Sequence, residues 1–193
     1  MSRVEQPEYE IVGQDGPIEL REYGEMIVAE AEVSGERKAA IEEGFRLIAA
    51  YIFGANRPNT KIAMTAPVQQ QANRKVAMTA PVTHQAGEQG LWTVRFVMPA
   101  SWTLDSLPEP NDARVTLHRH AARRMLAIRF SGLASNRLLE EKTAELRDHA
   151  TRRDINTVGE PLLAFYNPPW TLPIFRRNEI MLEVLPPGRS RPR

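Results

Sequence analysis

The segment Tyr166-Asn167-Pro168-Pro169-Trp170-Thr171-Leu172-Pro173-Ile174-Phe175-Arg176-Arg177-Asn178-Glu179 holds the chain's richest combination of side chains for binding. Three prolines stiffen a loop that presents Trp170, Leu172, Ile174 and Phe175, and two arginines follow at once. Large apolar groups edged by guanidiniums suit a flat amphipathic acid, which buries its plane and pairs its carboxylates with arginine. The same residues would also make a loop folded over a sheet edge with an Arg-Arg-Asn-Glu ion-pair network. Residue types alone leave both readings open.

Other chemistry is sparsely provided. His118 and His120, two apart, would share one side of a strand with Thr116, as a zinc or heme pair could, but no third ligand stands near. With Val115 and Leu117 toward the core, the pair is expected at the surface. His84 is expected in a polar loop and His149 late on a helix. Met64 and Met78 occupy matching places in a repeated octapeptide, and packing is expected of them rather than axial ligation. No metal ligand is therefore assigned. The pairs Glu42-Glu43 and Glu140-Glu141 point about 100° apart on a helix and read as solvated faces. There is no G-x-S-x-G turn, P-loop, G-x-G-x-x-G or H-E-x-x-H, and Ser34, Ser101, Ser131 and Ser135 lie in turn contexts. No catalytic residue is nominated, and a non-enzymatic role is expected.

The 193 residues contain no cysteine, which removes disulfides, thiolate metal sites and cysteine nucleophiles. Hydrophobic residues make up 42% and charged residues 25%, enough for one domain, expected over residues 7–186 with a disordered Pro/Arg-rich tail at 187–193. The opening MSRVEQPEYE has no apolar run, and no stretch approaches the roughly 18 apolar residues of a membrane helix. A cytoplasmic protein without an integral membrane segment is expected. Net charge is +1, but residues 1–60 hold twelve acids against six Lys+Arg, whereas Ala113–Leu139 contains six arginines and no acid. That stretch could meet carboxylates or phosphates. It lacks the interleaved aromatics and zinc-finger spacing of nucleic-acid binding, which is not expected.

The elements that must position these residues follow from periodicity. Strands are predicted at Tyr9–Val12, Ile18–Tyr23 and Met26–Val33, the last with Ile27, Ala29, Ala31 and Val33 on one face. A helix follows near Lys38–Phe53, with Ile41, Phe45, Ile48 and Ile52 as its stripe and Gly44 inside it. The octapeptide Lys61–Val68 returns as Lys75–Val82, two short extended segments joined by a reversal. Leu91–Met98 is a strand with Trp92, Val94, Phe96 and Met98 on one face, before a Pro-rich connection at Ser101–Asp112. Strands at Arg114–Arg119 and Arg124–Phe130, a helix near Asn136–Arg152 and strands at Leu162–Tyr166 and Glu179–Val184 complete the chain. The order strand, strand, helix, strand, strand occurs twice. This predicts α+β architecture: duplicated halves joined in a distorted β-barrel or mixed sheet, flanked by two helices.

The segments KIAMTAPV (61–68), FVMPA (96–100) and YNPPWTLPIFRRNEI (166–180), with the opening YEIV…IELREYG (9–24), resemble the SOUL heme-binding protein family in order and spacing. The doubled KxAMTAPV resembles its bacterial branch. The resemblance implies non-catalytic binding, buffering or transport of heme or another tetrapyrrole in a shallow apolar pocket, with the small molecule as main partner. Carried over by position, the ligand would meet Phe45, Ile48, Ala49 and Ile52 of the first helix and Trp170, Leu172 and Phe175 of the loop, with Arg176 and Arg177 on its propionates. An axial histidine assigned to the N-terminal part of one member has no counterpart, because the first histidine here is His84. The alternative is a binding module for another hydrophobic small molecule, since the fold also resembles effector domains of bacterial regulators.

Overall fold

The structure, a computed structural model, describes residues 5–57, 76, 80–87, 90–167 and 171–185. The first octapeptide, half of the second (residues 75 and 77–79) and Pro168–Trp170 lie outside the described residues, Met64 and Met78 among them. In chain order the elements are β1 (Tyr9–Asp15), β2 (Ile18–Tyr23), β3 (Met26–Ser34), α1 (Arg37–Ile52), β4 (Asn56–Arg57), β5 (Val82–Ala86), β6 (Leu91–Val97), β7 (Glu109–Pro110), β8 (Val115–His120), β9 (Arg123–Phe130), α2 (Asn136–Arg152), β10 (Thr157–Phe165) and β11 (Asn178–Val184). Among the described residues no helix is long and apolar enough to cross a membrane.

Among the described residues nine strands form one sheet in the order β1-β2-β9-β11-β10-β5-β6-β3-β8, and β4 pairs separately with β7. Every pairing is antiparallel, and β1 and β8 remain as edges. The expected barrel or mixed sheet is thus corrected to an open antiparallel sheet. A bulge between Ile11 and Gly13 distorts the β1 edge, a device that discourages further pairing. The order β2-β9-β11-β10 is matched by β8-β3-β6-β5, each with a helix running from the second strand to the fourth. This is a match of strand order alone and does not establish a duplication.

The sheet must nevertheless curl. Only Gly24 and Glu25 join β2 to β3, and only Ala121 and Ala122 join β8 to β9. Each pair of strands stands six places apart in the order, ~29 Å if the sheet were flat. Three Cα–Cα steps reach only ~11 Å. The two wings therefore fold toward each other, leaving one face outside and one inside.

The outer face carries both helices. Cross-strand partners run Ile18–Ile128–Ile180–Leu163–His84–Val94–Ala31–Val115 across the whole sheet, all on this side. Helix α1 covers the Val94–Val115 end with Ala40, Gly44, Leu47, Ile48, Tyr51 and Ile52. Helix α2 covers the Ile128–Leu163 end with Leu139, Leu146 and Ala150. Burying each large aliphatic contributes ~1.5–3 kcal/mol. The α1 stripe is rotated from the expected one: Ile48 and Ile52 are buried, but Ile41 is half-buried and Phe45 is 41% exposed. Gly44 explains the rotation. A Cβ there would stand 2.5 Å from Val94 Cγ2, so the helix rests on β6 with its backbone.

His84 is also corrected. It sits in β5 between the two helix-covered clusters, 1% exposed, stacked on Phe165 at 5.0 Å and edge-on to Trp92 at 6.1 Å. Neither ring nitrogen has a hydrogen-bond partner among the described residues. Burial, aided by the Arg37 charge, lowers its pKa to about 3. His118 and His120 lie on the opposite face from Val115 and Leu117; His118 is exposed as expected, whereas His120 is half-buried rather than at the surface.

Two outcomes follow. Gly44→Ala should lower stability in urea unfolding by about 1–2 kcal/mol, since overpacking costs ~1–3 kcal/mol and helix propensity returns at most ~1; a stabilised variant would refute the close approach. Because the folded pKa of His84 lies below its unfolded value near 6.5, its contribution is present above pH 6.5 and lost as pH falls toward 3. Wild type should lose stability relative to His84→Phe by up to ~1.4 kcal/mol per pH unit in that window. Parallel stability curves for the two proteins would show that the ring is not held neutral.

Candidate functional site

The inner face of the curl is where charge has been taken out of water. Its partners run Arg129–Glu179–Ala164–Thr83–Arg95–Glu30–Thr116. Glu179 is fully buried and Arg21 is 1% exposed. Arg21 grips the carboxylate with both terminal nitrogens, Nη1 to Oε2 at 2.7 Å and Nη2 to Oε1 at 3.0 Å, and its Nε donates to Glu19 at 2.7 Å. Tyr166 donates its hydroxyl to Glu179 Oε2 at 2.7 Å, and Arg177 Nε donates to Oε1 at 2.9 Å. Each guanidinium also lies over a ring: Arg21 over Tyr9 at 4.4 Å and Arg177 over Tyr166 at 3.9 Å.

The alternation of β2 and β11 places these groups on one side, and β9 between them sets the reach. Burial pushes the Glu179 carboxyl up, but the hydrogen bond and charge of Arg21, with Tyr166 and Arg177, more than offset it and hold it below the usual range. Burial and Glu179 together hold the Tyr166 hydroxyl well above its ordinary value. A carboxylate so firmly ionised is a poor proton acceptor near neutrality, so this cluster is better suited to fixing its neighbours than to acid–base work.

Those neighbours include the loop singled out by sequence. Tyr166 N donates to Arg177 O at 3.3 Å and Arg177 N to Asn167 Oδ1 at 2.6 Å, closing the loop at its base. Gly132 N donates to Pro173 O at 2.9 Å, fastening a 3-10 turn at Pro173–Phe175 to the end of β9. Leu172, Ile174 and Phe175 are left 63%, 72% and 68% exposed. Beside them a groove of about 590 Å³ runs between the β1–β2 turn and the end of β9, lined by Gln14, Pro17, Arg129, Phe130, Ile174, Phe175 and Arg176 among others. Arg176 is half-buried and donates Nε to Thr171 O at 2.8 Å. Arg129 is exposed and makes no ion pair among the described residues.

The two groups of residues expected to share a ligand are placed against different strands. Helix α1 packs on β3, β6 and β8, and none of its residues lines the groove. Ile48 and Ile52 are 0% and 1% exposed in the core, Ala49 is half-buried, and Phe45 packs 5.4 Å from the Phe96 ring. Trp170 lies outside the described residues. Arg177 lines the groove but is committed to Glu179. Sequence reasoning missed Phe130 as a lining residue and placed Arg129 only within the acid-free stretch; the β9–loop contact that joins them to Phe175 leaves no local pattern. A second groove, about 750 Å³, opens at the other edge with Trp102 and five glutamates, so its charge opposes an acidic ligand.

Heme would find carboxylate partners and an apolar wall in the smaller groove but no iron ligand, because neither histidine nor methionine lines it among the described residues. Nor does any group of three or more His, Asp or Glu that could hold a metal occur among them. The donor set fits the porphyrin's plane and acids, not its iron.

No curated protein matches the chain. The fold is similar to that of the EcmrR C-terminal domain, with TM-score 0.61, 11% identity, and coverage of 92% of this chain and 98% of that one. In an EcmrR–DNA complex the chain covers only 56% of its counterpart, with 86% of this chain covered, TM-score 0.62 and 12% identity. A hydrolase from Listeria innocua is similar with TM-score 0.55, 12% identity, and coverage of 95% and 94%. At such identities the likeness is one of fold. The SOUL heme-binding protein model, in contrast, matches residues 4–183, nearly the whole length, and the chain belongs to that family.

Proposed function

We propose that the protein binds a flat, acidic, amphipathic ligand of the tetrapyrrole class in the groove between the β9 end and the 172–177 loop. The observation that carries this reading is the coincidence, in about 590 Å³, of exposed apolar side chains with Arg129 and Arg176. That volume lies within the ~300–1,000 Å³ of ordinary ligand sites. Phe130, Ile174 and Phe175 take the plane, Leu172 extends the apolar wall, and Trp170 belongs to the same loop. Arg129 and Arg176 meet the carboxylates, while Arg177 braces the loop through Glu179. Of the helix residues, Ile48 and Ile52 serve the core, Ala49 is half-buried, and Phe45 stays outside the groove. Bound heme would bring its iron's redox and ligand-exchange chemistry; the chain supplies orientation and charge pairing, with no catalytic step of its own.

Absorbance titration with ferric heme, metal-free protoporphyrin and its dimethyl ester tests this. Heme and the metal-free ring should bind with similar affinity, because no iron ligand lines the groove. Replacing Arg129 and Arg176 by alanine should weaken both about three- to tenfold per residue, a partly exposed charge-assisted hydrogen bond contributing ~1 kcal/mol, and should leave the ester unchanged. Equal losses for the ester would sink the carboxylate contacts. His118→Ala with His120→Ala should leave the Soret shift intact.

A further inference from the structure

Inside the curl, away from the groove and sharing no lining residue with it, is a small cavity of about 30 Å³, room for roughly one water. Its walls include Val28, Met125, Leu162 and Met181, with the guanidiniums of Arg95 and Arg123. The two cations are not equally matched. Arg95 pairs with Glu30 and donates to Gln85 Oε1 at 3.0 Å. Among the described residues Arg123 has only Glu183 as a countercharge, 4.0 Å away and 48% exposed, and its buried Nε has no hydrogen-bond partner there. Burial lowers the Arg123 pKa, and Arg95 adds to the effect, as expected of a cation short of countercharge. His120 is half-buried nearby, and burial, aided by the charges of Arg123 and Arg95, lowers its pKa.

The roof is the segment ahead of β1. Gln6, Pro7 and Tyr9 line the cavity on this side, with Glu5 and Gln6 exposed and Pro7 half-buried. Three hydrogen bonds hold this strap: Ala80 N to Glu5 O at 2.9 Å, Ala100 N to Glu5 Oε1 at 2.8 Å, and Arg177 Nη1 to Gln6 Oε1 at 3.2 Å. A segment held largely by exposed hydrogen bonds rather than by apolar burial opens locally at low cost.

We infer that this cavity is a second ligand site, for a small carboxylate with an apolar body, and that residues 5–8 are its lid. The carboxylate sits against Arg123 and supplies the missing countercharge. The body takes the place of Gln6 and Pro7 between Val28, Leu162 and the two methionines, whose flexible thioethers adapt to its shape. A cation is excluded by the excess of arginine, and a large ring by the size of the cavity.

The probes are benzoate, benzamide and benzamidinium, read by methyl resonances of 13C-methyl-methionine protein. Benzoate should shift the Met125 and Met181 methyls saturably with millimolar affinity or better, and benzamide should bind at least fivefold more weakly. Glu5→Ala loosens the lid without touching the walls and should tighten benzoate about three- to tenfold. Arg123→Met should weaken benzoate about tenfold while leaving the porphyrin titration unchanged, which separates this site from the groove. The inference fails if benzoate moves neither methyl in wild type or Glu5→Ala, or if benzamidinium binds as well as benzoate. It fails also if Arg123→Met retains full benzoate affinity.

Discussion

Two connections of two residues each determine the shape of this protein. Gly24-Glu25 and Ala121-Ala122 must join strands six places apart in the sheet, and only a strong curl brings their ends within reach. The curl makes the two faces inequivalent. The outer one accepts two helices and is apolar from Ile18 to Val115, interrupted only by His84. The inner one faces itself, so no helix can cover it and polar groups there must find partners across the fold. Grooves form where the curl leaves its ends open.

The Arg21–Glu179 pair is the chief consequence. Removing two charges from water costs several kcal/mol each before their attraction is counted, so the pair is weak support for stability as such. Its geometry shows what it does provide. The bidentate grip links β2 to β11 across β9, and Tyr166 and Arg177 close on the same carboxylate from the two ends of one loop. That loop therefore leaves the sheet from fixed points. Ile174 and Phe175 remain exposed because their anchors, not their own burial, set their position.

Much of this was legible in the sequence. Alternation in Met26–Val33 and Leu91–Met98 identified the helix-covered faces correctly, because a half-buried strand writes its environment into every second residue. Helix α2 was readable to its ends, Asn136 and Arg152, through its apolar spacing. What escaped depended on partners distant in the chain. His84 looked like a loop residue because Thr83, Gln85 and Gln89 surround it, and only pairing with β6 and β10 buries it. The α1 stripe was misjudged by a fraction of a turn because Gly44, carrying no side chain, is invisible to an apolar count yet decides which side meets Val94. The loop arginines read as an equivalent pair, but the register of β11 turns Arg177 to Glu179 and leaves Arg176 at the groove.

The family and the fold bear differently on the ligand. The fold is similar to that of a domain of EcmrR and of a Listeria innocua protein described as a hydrolase, so the scaffold by itself selects no chemistry. Selection comes from where charge is left uncompensated. The larger groove gathers glutamates, of which Glu22 and Glu25 are answered by Arg124 and Arg119. At the opposite end Arg129 makes no ion pair among the described residues, the groove's Glu19 being taken up by Arg21, and it stands beside Phe130 and a loop that cannot withdraw its apolar side chains. The proposed acidic ligand would be repelled at one edge and paired at the other. Such a molecule needs no new fold, only the unequal division of acids and arginines that the first sixty residues and the Ala113–Leu139 stretch already display.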